Sequence, residues 1–326
     1  MTTNETHVVF GTGPAGSTLA EVLHAQGKRV RCINRSGKAQ VIPGIEVVAG
    51  DILKPDHMRM FCADAAVVYH CANVPYQQQC ELMPRFQAAI VEGAARANAR
   101  LVVLDTLYGY GETKGRPMTE AMPLAATTRK GRMRAQLAET YMATHQAGTV
   151  QIALGRAADF FGPRVLNSAL GDRVFPMALT KKPVQLLGNL DLPHSYSYIG
   201  DVARGLATLG THPDAPGRAW LLPVAPPVTQ RVMAQLIGEQ LGSTIRILRL
   251  PKLAIQALGM IDPFMREFVE MFYQYTESQI VVSRDFEDTF GWSATPIEPA
   301  LSTTLDWYRY SMGMSAASSY NGMRST

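Results

Sequence analysis

The stretch that decides the fold is Val8-Val9-Phe10-Gly11-Thr12-Gly13-Pro14-Ala15-Gly16-Ser17-Thr18-Leu19. The Gly-x-Gly-x-x-Gly spacing alone means little, because a chain with 27 Gly supplies about 0.2 such matches by chance. Its setting gives it weight. Val8-Val9-Phe10 reads as a strand ending on the first glycine, and Ser17-Thr18-Leu19 carries a helix onward from the last. That order aims backbone N–H groups and the positive end of a helix at one point, and the glycines let an anion approach closely. Gly11, Gly13, Pro14, Ala15 and Gly16 are therefore the candidate cradle for a dinucleotide pyrophosphate. The bland alternative is a plain strand–helix turn.

Working outward, β-branched runs at 7–10, 29–33, 45–48, 66–69, 101–104 and 150–154 alternate with helical patterns at 17–26, 55–63, 84–97 and 129–146. Strands alternating with helices of this length predict an α/β fold, a doubly wound parallel sheet of the Rossmann kind. After Gly155 prolines and glycines become frequent and helices dominate, which predicts a second, smaller mixed substrate domain. The expected division is a dinucleotide-binding domain over 1–155, with 198–209 returning to it, a lid over 156–310, and a flexible tail over 311–326.

Composition narrows the partners. With 31 Lys+Arg against 27 Asp+Glu the net charge is only +4, too weak and too evenly spread for a nucleic-acid partner. The four Cys (Cys32, Cys62, Cys71, Cys80) include no Cys-x-x-Cys and the His no His-Glu-x-x-His, so neither zinc nor a disulfide scaffold is expected. No run approaches the roughly 18–20 apolar residues of a membrane helix, and the N-terminus lacks a leader's basic-then-apolar order. The expectation is a cytoplasmic protein with no metal and no membrane contact. Its partners would be a small-molecule substrate and a second copy of itself as a homodimer.

The end of the second strand bears on the cofactor. Sites for the unphosphorylated dinucleotide place a carboxylate about 20 residues past the loop to hold the ribose hydroxyls. Here that place holds Asn34, followed by Arg35 and Ser36. Asn removes the charge that would repel a 2′-phosphate and Arg35 can pair with one, so NADP is preferred over NAD. A solvated turn over 34–37 is the competing account.

Farther along, Gly50-Asp51-Ile52 follows the third strand and His70-Cys71-Ala72 the fourth. Leu104-Asp105-Thr106-Leu107-Tyr108-Gly109-Tyr110-Gly111 follows the fifth, and Arg156-Ala157-Ala158-Asp159-Phe160-Phe161-Gly162-Pro163 the sixth. Tyr198-Ile199-Gly200-Asp201-Val202-Ala203, then Gly291-Trp292, Thr295-Pro296 and Trp307-Tyr308-Arg309, complete the series. In this order the motifs resemble the short-chain dehydrogenase/reductase superfamily, extended or atypical type, of the NAD-dependent epimerase/dehydratase kind. The resemblance implies that Asp51 and Ile52 hold adenine, that Cys71 and Ala72 line the cofactor, and that Thr106 orients a substrate oxygen. Asp159 stands where the family has Asn on the substrate side, and would disfavour a diphosphate substrate by repulsion.

The family's central pair is missing. Its Tyr-x-x-x-Lys, counted without gaps from Tyr110-Gly111, falls on Gly131 and Ala135, and counting back from Glu139 gives the same result. Lys130 and Arg134 keep the i, i+4 spacing but lie one residue early, about 100° around the helix. They fit a solvated basic helix face as well as a site, and Lys130 would reach the ribose only on a turned helix. Among Tyr108, Tyr110, Tyr196 and Tyr198, Tyr108 is the preferred proton donor, two residues from Thr106 on the same side of a strand. A core aromatic is its competing role. Three outcomes stay open: another proton donor, hydride exchange with water as the proton source, or a non-catalytic NADP-binding sensor. The Phe- and Met-rich second half, including Phe160, Phe264, Met265 and Phe268, reads either as a hydrophobic substrate pocket or as a small core.

Overall fold

The computed structural model describes residues 5–314. Its first half alternates β1 (Thr6–Phe10), α1 (Pro14–Ala25), β2 (Arg29–Asn34), β3 (Glu46–Ala49), α2 (Pro55–Cys62), β4 (Ala65–His70), α3 (Gln79–Arg96), β5 (Arg100–Thr106), α4 (Arg129–Gln146) and β6 (Ile152–Ala157). Beyond β6 come β7 (Asp159–Phe161), α5 (Phe175–Leu179), β8 (Val184–Leu187), β9 (Pro193–His194), β10 (Tyr196–Tyr198), α6 (Ile199–Thr211) and β11 (Ala219–Leu221). The chain closes with β12 (Val228–Thr229), α7 (Gln230–Leu241), β13 (Ile247–Leu250), α8 (Lys252–Leu258), α9 (Pro263–Phe268), α10 (Arg284–Phe290) and α11 (Ile297–Ser311).

The main sheet is parallel throughout and ordered β11-β6-β5-β4-β1-β2-β3. The order reverses between β1 and β4, which makes the doubly wound fold and opens a crevice at their carboxyl ends. Alternation along the strands explains the layers. Val9 faces Leu19 and Leu23 of α1 and Val202 and Leu206 of α6 on one side. Val8 and Phe10 face Met58 and Phe61 of α2 and Ile90 of α3 on the other. A separate core of Phe175, Leu186, Ile237, Leu301 and Tyr308 holds the second half together.

The α/β, doubly wound expectation is borne out, with three local corrections. The last strand of the first half runs over Ile152–Ala157 and not 150–154, because Arg156 is a buried strand residue paired with Asp105 at 2.9 Å. The third helix starts at Gln79 and passes through Pro84, where the proline reads in sequence as a start. The pairing of β11 with β6 adds a seventh strand whose three residues carry too short a pattern to read. Of the expected tail, Ser311 still belongs to α11 and 315–326 lie outside the described residues. No helix among the described residues is long and apolar enough to cross a membrane.

Candidate active site and dinucleotide cradle

The glycine loop lies at this crevice, between β1 and α1. Gly11 adopts φ +96°, and a Cβ there would lie 2.6 Å from the Ala72 backbone, so only glycine lets the loop pack on the turn after β4. A Cβ on Gly16 would strike the Gly11 carbonyl. Gly13 differs: a Cβ would meet nothing within 4 Å, so open space lies over the residue that caps α1. Helix α1 carries no acid in its first turn and no side-chain cap, leaving its first N–H groups available to an anion. Pro14, at the start of α1, has no N–H to satisfy.

Around this loop stand the other candidates. The Asn34 amide donates to Thr12 Oγ1 at 2.6 Å and to the Lys38 carbonyl, while its oxygen accepts from the Ser36 and Gly37 N–H groups. Asn34 is thus held inside the turn, and Arg35 and Ser36 are exposed beside it. Asp51 Oδ1 accepts from the Leu53 N–H, and Ile52 is buried next to it. Cys71 and Ala72 follow β4, and burial pushes the Cys71 thiol up to about 12, leaving it an inert thiol.

At the carboxyl ends of β5 and β6 a cavity of about 350 Å³ takes in Thr106, Tyr108, Arg134 and Asp159, with Phe160, Phe264, Met265 and Phe268 as apolar wall. A second hollow of about 470 Å³ opens near His7 and Arg100, at the amino ends of the strands and away from the cradle. The site is assigned to the former because ligands of open α/β sheets bind at the carboxyl ends. The Phe and Met residues divide between the two readings of the sequence. Those just named line the cavity, whereas Phe161, Phe175, Met271 and Phe272 are core.

Tyr108 is not on a strand. Leu107–Tyr110 is a 3-10 turn capped by Thr106, whose hydroxyl accepts from the Tyr108 N–H at 3.4 Å. The turn still brings both side chains to one cavity. Burial first, and then the Asp159 carboxylate, push the Tyr108 phenol above its ordinary value; Tyr76, Arg134 and Gln274 offset part of this. Tyr76, on the same cavity, is pushed up by burial and by Tyr108. Both phenols are therefore protonated donors near neutrality.

Asp159 accepts from the Tyr275 hydroxyl at 2.9 Å and lies 3.2 Å from His194 Nε2. Burial acts to raise its pKa, but the His194 and Tyr275 contacts outweigh it and hold the carboxyl below its ordinary value. One wall of the cavity is thus anionic. His194 is buried between the Tyr196 and Tyr275 rings.

Neither Lys130 nor Arg134 is on a solvated face. Helix α4 starts with Thr128 accepting from the Gly131 N–H at 3.1 Å, and this sets its rotation. A Cβ on Gly131 would point at Ala126, Thr128 and the Tyr108 carbonyl, and Ala135 packs on Gly109. Arg134 is the residue of this helix that lines the cavity. Lys130 is fully buried, pairs with Glu267 and with Glu270 at 3.1 Å, and lies 4.4 Å from the Tyr76 ring centre. Its ammonium ties α4 to the 263–275 segment.

Sequence reasoning missed Tyr76, Gln79, His194, Gln274 and Tyr275, which are brought to the site by elements distant in the chain. Asp201 has a structural part: its carboxylate accepts from the Thr295 N–H at 2.7 Å and from the Thr295 hydroxyl at 2.8 Å, joining two of the sequence motifs.

Parallel sheet, switch point, open glycine cradle and adjoining cavity together define a dinucleotide-binding protein of the doubly wound class. The NAD dependent epimerase/dehydratase family matches residues 8–222, and the chain belongs to that family. The sequence resemblance is thereby borne out. Among solved structures, an epimerase from Methanothermobacter thermautotrophicus is similar at TM-score 0.80 and 18% identity, over 95% of this chain and 93% of that one. UDP-glucose 4-epimerase from Thermotoga maritima, solved with UDP-glucose, gives 0.79 and 15% over 94% and 99%. UDP-glucuronic acid 4-epimerase from Bacillus cereus, solved with NAD, gives 0.76 and 16% over 94% and 99%. A comparison with curated proteins finds no match.

Proposed function

We propose that the chain binds NADP in preference to NAD and carries out a reductase- or epimerase/dehydratase-like step on a small alcohol or carbonyl, without a Tyr-x-x-x-Lys pair. The observation that carries the reading is the open space over Gly13 at the start of α1, together with a cavity at the carboxyl ends of the same sheet lined by Thr106 and Tyr108. When bound, a nicotinamide supplies hydride acceptance or donation. The residues that would hold the dinucleotide are Gly11 to Gly16 at the pyrophosphate, Arg35 and Ser36 at a 2′-phosphate, Asp51 and Ile52 at adenine, and Cys71 and Ala72 along its length. The turn-bound Asn34 amide, in a place where a carboxylate would repel that phosphate, supports NADP. In this reading 1–155, with 198–209, holds the dinucleotide, and 156–310 forms the substrate side.

Within the cavity Thr106 orients a substrate oxygen. Tyr108, protonated by virtue of its burial, donates a hydrogen bond to that oxygen and stabilises negative charge on it. Asp159 accepts from a substrate hydroxyl. Titrating both dinucleotides into the protein tests the cofactor, and tighter NAD than NADP sinks that part. Turnover with a panel of small alcohols and carbonyls tests the reaction.

A second reading is a non-catalytic NADP-binding sensor. It is favoured by Lys130, whose ammonium lies against two carboxylates and does not face the cavity. Tight NADP binding without oxidation or reduction of any panel member would establish it.

A further inference from the structure

Arg134 presents an unresolved charge. It is 6% exposed, its Nε has no hydrogen-bond partner, and it makes no hydrogen bond or ion pair with any described residue. Lys130, one helical turn earlier on α4, shows the contrast, since that buried cation has two glutamates against it. A buried cation without a counter-charge is strongly unfavourable, so a chain that keeps one in a cavity wall leaves its partner to a ligand.

The surroundings say what that ligand is. Five buried side-chain polar atoms among the described residues lack a hydrogen-bond partner. Two of them, Gln79 Oε1 and Arg134 Nε, belong to side chains of this one cavity; a third, the Tyr76 hydroxyl, has Tyr108 as its neighbour there. Arg134 Nε is a donor, which suits an anionic oxygen, while the Tyr76 and Tyr108 phenols of the same cavity engage each other; the Gln79 oxygen suits a hydroxyl. A guanidinium presents paired N–H groups that match the two oxygens of a carboxylate. The dinucleotide pyrophosphate does not fill this role, since its cradle lies over Gly13 at the end of β1. Asp159, in the same cavity, repels an anion and so fixes which end of the ligand faces Arg134.

We propose that Arg134 anchors a carboxylate subsite in this cavity, so that the substrate is a small hydroxy or oxo acid. The inference rests on the alcohol or carbonyl reading above for the word substrate, but its test is binding alone. A failure of dinucleotide binding or turnover would strike that reading and leave the outcomes below untouched.

The experiment titrates 3-hydroxybutanoate and malonate, their neutral amides, and inorganic phosphate into the wild-type, R134Q and R134K proteins, with and without NADP, and records unliganded melting temperatures. The acids are expected to bind the wild type at least about tenfold more tightly than the amides. That preference should fall below about twofold in R134Q and be partly kept in R134K. Unliganded R134Q should melt at or above the wild-type temperature, because it loses an uncompensated charge. The proposal is overturned if acids and amides bind the wild type alike, or if the preference survives in R134Q. It is also overturned if phosphate binds and the carboxylates do not, or if unliganded R134Q melts lower or fails to fold, since Arg134 would then have a partner inside the protein.

Discussion

The carbonyl oxygen of Tyr108 lies 2.8 Å from the point where a Cβ on Gly131 would stand. The residue that counting assigns to the family's tyrosine is thus pressed against the turn that carries the preferred proton donor. Gly→Ala within a helix ordinarily stabilises by about 0.5–1 kcal/mol. Here the sign should reverse, with Gly131→Ala costing about 1–3 kcal/mol by overpacking against Tyr108, Ala126 and Thr128. Denaturant titration checks it, and a stabilised variant would contradict the packing. A G131Y/A135K double variant should gain no turnover.

Two glycines of the cradle should behave oppositely. Gly11→Ala introduces a side chain at φ +96° and 2.6 Å from Ala72, so it should cost roughly 1–3 kcal/mol of stability. Gly13→Ala places its Cβ in open space and should cost no more than about 1 kcal/mol, from the poorer helix cap, while weakening dinucleotide binding at least about tenfold. Melting curves and cofactor titration on both variants separate the two effects.

The tether at Lys130 should be acid-sensitive. Burial acts to raise the Glu267 pKa, but Lys130 and Arg129 outweigh it and hold the value down. A lowered folded pKa gives stability that is fully present above the ordinary glutamate value of about 4.3 and is lost as pH falls through the folded one. Melting temperature followed from pH 6 to pH 3 should therefore fall more steeply in the wild type than in E267Q. The E267Q/E270Q double variant leaves Lys130 buried without a charge partner. It should cost about 3 kcal/mol, the lower end of the range for broken buried pairs, because both glutamates are partly exposed.

Cofactor choice should lie with Arg35. Arg35→Ala is expected to weaken NADP by about tenfold, as for the loss of one charge-assisted hydrogen bond, and to leave NAD within about twofold. Equal losses for both dinucleotides in fluorescence titration would remove Arg35 from the 2′-phosphate.

For Thr106→Ala, turnover on an identified substrate should drop about a hundredfold with little change in dinucleotide affinity. Tyr108→Phe should lower the rate without moving any limb of the pH profile between 6 and 9, since burial keeps that phenol protonated throughout. A limb lost in Tyr108→Phe would show that Tyr108 titrates in this range.

What the sequence determined by itself was local. The strand-to-helix glycine loop, the alternation that buries Val8 and Phe10 on one face and Val9 on the other, and the Asn34 turn depend on residues adjacent in the chain, so the fold and cradle could be read. The helix that presents the site could not. Its rotation is fixed by the Thr128 cap and the close packing of Gly131 and Ala135 on the Leu107–Tyr110 turn, and one residue of slip is about 100°. From spacing alone Lys130 was the candidate of the pair, for the ribose, and Arg134 only its companion on the helix. Tertiary structure separated them, because Glu267 and Glu270 arrive from a helical segment over a hundred residues away to neutralise Lys130, and no carboxylate among the described residues pairs with Arg134. Asp159 likewise acquires its character only where His194 and Tyr275 converge on it. Charge compensation across the fold is a property of distance in space, which spacing along the chain does not encode.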